Sequence, residues 1–161
     1  MKKDNMKVIS DQLERLTLHA CMLLCAAMLI VASAHVLWRY LFNSALSWSE
    51  EFLRFTLVWF SLLSASIIHK RRGHMGIEVF RDMLPSKAQV VIKRVLTYIE
   101  IIGTIATTII GVMLVMRSQG QITPALHIPY AIPYISIPLG FLIMTYYGIE
   151  HAVREMKGID V

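Results

Sequence analysis

The sequence predicts an all-α integral membrane protein: four transmembrane helices joined by short amphipathic interfacial helices, with both termini on the cytoplasmic side. Three observations lead there. Charged residues make up only 17% of the 161, against about a quarter in soluble domains. The apolar residues are gathered into four long runs, and a run of about 20 residues matches the hydrocarbon core of a bilayer. Lysine and arginine are concentrated in alternate connecting segments, as expected of a multi-pass chain.

Residues 1–16 are polar, with Val8, Ile9, Leu13 and Leu16 roughly on one helical face, so a short interfacial helix is expected to lead into the membrane. The first span follows over about 17–38. An acidic and basic segment precedes it without a small-residue cleavage motif, which predicts a retained helix and not a signal peptide. Trp38 and Arg39 mark a headgroup boundary at its end. Ser47-Trp48-Ser49-Glu50 has capping-box spacing, with Ser47 reaching the amide of Glu50 and the Glu50 carboxylate reaching back. The second span is therefore expected over about 48–68, stopped by His69, Lys70, Arg71, Arg72 and Gly73.

The segment 76–84 is too short to cross and sets Ile77, Phe80 and Leu84 on one side, which predicts a helix lying in the interface. Pro85 ends it, and Ser86 is placed to cap the next helix. The third span is expected over about 92–116, and a proline-containing connection follows. The last span is expected over about 134–151, with Pro138 opening it or bending its first turns. The whole of 1–161 reads as one membrane domain without repeats or low-complexity tracts.

Orientation follows from the cations. Thirteen of the sixteen fall in the N-terminal segment, the middle connection including Lys70, Arg71, Arg72 and Arg81, and the C-terminal segment. Arg39, Arg54 and Arg117 alone fall on the other side. The rule that the cytoplasmic side is the more basic puts both termini in the cytoplasm. The same distribution explains the net charge of +5 by topology and contact with lipid headgroups, without nucleic acid as a partner. Trp38, Arg39, Lys70, Arg71, Arg72 and Arg81 are the expected headgroup residues.

Glu50, Glu51 and Arg54, followed by Trp59, place two acids and a base near the start of a spanning helix. They are read either as a solvated local ion-pair cluster or, with Trp48, as a docking face for another membrane subunit. Glu100 shares a stripe with Gly103, Thr107 and Gly111. Small residues let helices approach closely, and a carboxylate there is expected to face protein. Arg15, His19 or a serine is its expected mate. Cys21 and Cys25, four apart on one face, read as packing residues. None of the six histidines falls deep in an apolar centre, which disfavours a haem held between two imidazoles. No nucleotide loop, HExxH or GxSxG motif is present; the chain reads as non-enzymatic and without a cofactor of its own.

The sequence resembles the small membrane subunit of tripartite ATP-independent periplasmic (TRAP) transporters, the DctQ-type permease component. The resemblance rests on Trp48-Ser49-Glu50-Glu51-Phe52-Leu53-Arg54 with Trp59, and on Arg72-Gly73-His74-Met75-Gly76-Ile77-Glu78. Leu84-Pro85, then Ile128-Pro129, Pro133-Tyr134 and Pro138-Leu139-Gly140, complete the ordered set, from about Arg39 to Gly140. Glu78 departs from the family, where aspartate is commoner. The resemblance implies a bacterial inner-membrane scaffold subunit paired with a large TRAP membrane subunit that carries the substrate and sodium sites. It also implies a periplasmic substrate-binding protein that delivers organic acids. Two other functions are compatible with four spans: a haem-bearing membrane anchor of a respiratory enzyme, and a small homodimeric proton-coupled exporter acting through Glu100.

Overall fold

The structure is a computed structural model and describes residues 5–44, 46–71 and 86–156. Its elements are α1 (Asn5–Phe42), α2 (Ser47–Lys70), α3 (Ser86–Arg117), α4 (Ala131–Tyr134) and α5 (Ser136–Met156). Among the described residues, four stretches are long and apolar enough to cross a membrane: Met6–Phe42, Ser47–Lys70, Arg94–Arg117 and Ala131–Arg154. Among the described residues there is no strand, only an isolated bridge between Ile122 and Pro129.

Sequence explains the boundaries. Nothing in α1 breaks a helix, since 5–42 contains neither proline nor glycine. It therefore runs unbroken across the junction expected near residue 16, and its 38 residues extend roughly 57 Å, well beyond the hydrocarbon core. Asn43 ends it with a positive φ of 49°, a conformation asparagine tolerates well.

α2 starts at Ser47, with Leu46 extended before it and no side-chain cap. The expected capping box is thus not formed. Ser47 already lies inside the first turn, so its hydroxyl is no longer in the cap position. α3 begins at Ser86, directly after Pro85, several residues ahead of the expected start. The last span is composite: the short α4 and then α5, whose third residue is Pro138. A proline is accommodated there because first-turn amides have no partner inside the helix. The expected interfacial helix at 76–84 lies outside the described residues, as do Arg72 and Arg81.

The long helices stand in the row α1, α2, α5, α3. They form a layer, not a closed bundle. The outer helices are correspondingly bare: 6% of the apolar window of the first span is buried, against 39% in the last. Cys21, Leu63, Ile143 and Tyr147 form the small core where α1, α2 and α5 meet, with Leu13, Trp59 and Phe60 packed on it. α3 docks on α5 through Gly111, where a Cβ would come within 3.0 Å of Ile137 and Pro138. Glycine there permits the close approach.

Candidate partner interface

At the end of the row carrying the loops, Glu51 is buried to 9% exposure. Its carboxylate accepts the backbone amides of Ala125 at 3.0 Å and Leu126 at 2.7 Å. The recipient loop closes on itself: the Thr123 amide donates to the Ile128 carbonyl at 2.9 Å, and the Ile128 amide donates to Thr123 Oγ1 at 3.1 Å. The Tyr130 amide donates to the Gln121 carbonyl at 3.0 Å. Gly120 (φ 90°) and His127 (φ 55°) make the two reversals. Ser49 Oγ meets His35 Nδ1 and donates to the Leu46 carbonyl at 2.7 Å. Beneath the loop, Leu24, Phe52, Phe55, Trp59, Leu126 and Ile132 line an apolar crevice of about 230 Å³.

The sequence grouped Glu50, Glu51 and Arg54 as one ion-pair cluster. The structure separates them. Glu51 turns inward to the loop amides, whereas Glu50 and Arg54 are exposed and form no ion pair among the described residues. A carboxylate accepting two charge-assisted bonds from otherwise unmatched amides gains more than one paired across an exposed helix surface. Trp48 is also exposed, at 41%, with its ring edge-on to Phe52.

At the opposite end a polar belt crosses all four long helices. Lys70 Nζ reaches Asp11 Oδ1 and Glu14 Oε2, each at 2.8 Å, and lies 5.7 Å from the centre of the Tyr147 ring. Arg71 pairs with Glu14 at 2.7 Å, and Arg154 with Glu150 at 2.7 Å. His69 Nδ1 lies 2.9 Å from Glu100 Oε1, and the His69 ring stacks on His151 with centroids 6.4 Å apart. Glu100 is therefore paired with His69 on α2. Of the expected candidates, His19 is engaged elsewhere, its Nδ1 2.6 Å from the carbonyl of Arg15. Arg15 and His19 also belong to α1, separated from α3 by two helices in the row.

Two consequences follow for the residues expected at a partner interface. Glu51 and Glu100 have mates within the chain, so the need for a companion's helices rests on Glu50 and Arg54. The small-residue stripe also divides. Gly111 is buried against α5, while a Cβ on Gly103 would meet nothing within 4 Å. Eight residues at about 100° each turn Gly111 some 80° away from Gly103, enough to leave one face for the next. Thr107 stays with Gly103, half-buried, and donates to its carbonyl at 2.8 Å. Trp59 packs on the core. Left exposed are thus Glu50 and Arg54 on α2 and Gly103 on α3, with Thr107 half-buried.

Residues 28–158 match the family described as tripartite ATP-independent periplasmic transporters, DctQ component. The chain belongs to that family. Among its DctQ relatives, the sialic acid TRAP transporter small permease protein SiaQ of Vibrio cholerae is 28% identical over 134 residues, 83% of this chain and 78% of that protein. The isethionate TRAP transporter permease protein DctMQ of Oleidesulfovibrio alaskensis is 25% identical over 127 residues, 74% of this chain. The chain spans only 20% of that longer protein. The C4-dicarboxylate TRAP transporter small permease protein DctQ of Vibrio cholerae is 36% identical over 61 residues, 38% of this chain and 26% of that protein.

As a DctQ component, the chain is a TRAP transporter small permease subunit and a multi-pass membrane protein. Sequence reasoning located the motif on α2 but missed the target of Glu51, because nothing in the order of residues tells which distant loop presents free amides. The pairing of Asp11 and Glu14 with Lys70 and Arg71 was legible in principle: opposite charges sit at matching depth on consecutive antiparallel helices.

Proposed function

We propose that this DctQ subunit is the scaffold of a secondary active TRAP transporter for organic-acid uptake, supporting a large substrate-translocating membrane subunit. The observation that carries the reading is the exposure of these residues. Charged Glu50 and Arg54, exposed near the start of a spanning helix, and an uncovered Gly103 on α3 are poorly suited to lipid and well suited to a protein helix. A relative five times the matched length, named as a permease DctMQ, supports a partner held against this unit.

In this reading the chain lies in the bacterial inner membrane with both termini cytoplasmic, as the thirteen-to-three division of Lys and Arg favours. The loop pinned by Glu51 then faces the periplasm, where a substrate-binding protein approaches the complex. Sodium coupling and the substrate site belong to the large subunit, and the small one is neither an enzyme nor a cofactor carrier. The relatives named for isethionate, sialic acid and C4-dicarboxylate support organic acids as the substrate class.

Extraction from native membranes in mild detergent tests the assignment. The chain is expected to co-purify with a large hydrophobic protein, and Arg54→Ala and Gly103→Leu to lower the yield of that complex without lowering the melting temperature of the isolated chain. A chain that migrates alone overturns the reading.

A further inference from the structure

We propose that the junction of α1, α2 and α5, at the end of the row carrying the termini, holds internal water bound by Ser10 Oγ, Tyr147 OH and Glu150 Oε2. Ser10 and Tyr147 are fully enclosed and Glu150 is 3% exposed. None of the three atoms has a hydrogen-bonding partner among the described residues. Buried polar atoms in native proteins are almost always paired, with protein or with ordered water.

The three groups come from two helices, Ser10 from α1 and both Tyr147 and Glu150 from α5. Tyr147 and Glu150 are three residues apart on α5 and share a face. Ser10 precedes Asp11, whose carboxylate binds the same Lys70 ammonium that lies over the Tyr147 ring. One turn before Ser10, the Met6 carbonyl accepts from Tyr146 OH at 3.4 Å.

Their chemistry selects water. Glu150 Oε2 only accepts, while each hydroxyl donates one proton and also accepts. A water molecule donates to the carboxylate and to one hydroxyl and accepts from the other, the two to four contacts typical of buried water. A metal cation fits poorly, because Glu150 Oε1 already pairs with Arg154 and the Lys70 ammonium stands alongside. The nest uses none of Glu50, Arg54, Gly103 and Thr107, so it stands or falls independently of the partner assignment.

X-ray radiolysis of the full chain in detergent, which makes hydroxyl radicals from water in place, tests the proposal. Tyr147 is expected to gain oxygen at a rate comparable with that of Tyr40, which is 79% exposed. A radical scavenger in the bulk should suppress labelling of Tyr40 while sparing Tyr147. Ser10→Ala and Glu150→Leu should each reduce Tyr147 labelling severalfold; should either fail to fold, the wild-type result with scavenger decides alone. A Tyr147 that stays unlabelled, or whose labelling is quenched in parallel with Tyr40, overturns the proposal.

Discussion

Glu51 on α2 and Leu126 in the loop before α4 are joined by a hydrogen bond of 2.7 Å, and the same carboxylate oxygen takes the Ala125 amide at 3.0 Å. One side chain near the start of α2 therefore fixes a loop 75 residues further along the chain. Hydrogen bonds to a charged group contribute about 1.5–3 kcal/mol, and a stranded donor adds its own penalty. Glu51→Ala is expected to lower stability by roughly 2–4 kcal/mol, with Glu51→Gln intermediate because the amide oxygen still accepts. Thermal unfolding in detergent measures the loss. Limited proteolysis localises it, with new cleavage expected between Ser118 and Tyr130.

The contact of His69 with Glu100 bridges α2 and α3 past the intervening α5, over Gly148, where a Cβ would lie 3.7 Å from His69 Nε2. His69→Ala and Glu100→Gln are expected to be non-additive, with a coupling of about 1 kcal/mol, the usual range for residues in direct contact. Strict additivity would show that the two side chains do not sense one another.

Two glycines on α3 separate internal from external packing. Gly111→Leu places bulk where even a Cβ would stand 3.0 Å from Ile137 and Pro138. Overpacking of this kind costs about 1–3 kcal/mol, visible as a lower melting temperature of the isolated chain. Gly103→Leu enters open space and should leave that temperature unchanged. Equal effects at both positions would contradict the division of the stripe.

Lys70 ties the protruding start of α1 to α2 through Asp11 and Glu14. Asp11 is half exposed, so its pair contributes no more than about 1 kcal/mol, and Glu14 keeps Arg71 as a partner when Lys70 is lost. Lys70→Met is therefore expected to leave global unfolding nearly unchanged while amide exchange around 6–14 accelerates. Unaltered exchange there would remove Lys70 as the fastening.

Four spans and their helical character were legible because long apolar runs in a bilayer leave the backbone little alternative to a helix. The start of α2 was less so. Ser47, Ser49 and Glu50 all offer capping chemistry, and the contact with His35 on α1, beside a local bond to the Leu46 carbonyl, makes Ser49 the engaged hydroxyl. The stripe on α3 failed for a geometric reason, since spacing of four and eight residues keeps side chains on one face only approximately. Glu100 was correctly marked as needing protein, but its mate depended on the order of helices in the row. That order, α1, α2, α5, α3, is set by packing between distant segments and is not encoded in any local pattern.

Helices standing abreast offer the bilayer a longer contour than the same four closed into a ring. Any tilt of such a fin drags apolar side chains into the headgroups along its whole breadth. A mobile neighbour fastened to it would thus push against lipid gripping both broad sides, and gain leverage that a rounder, equally heavy companion could not provide.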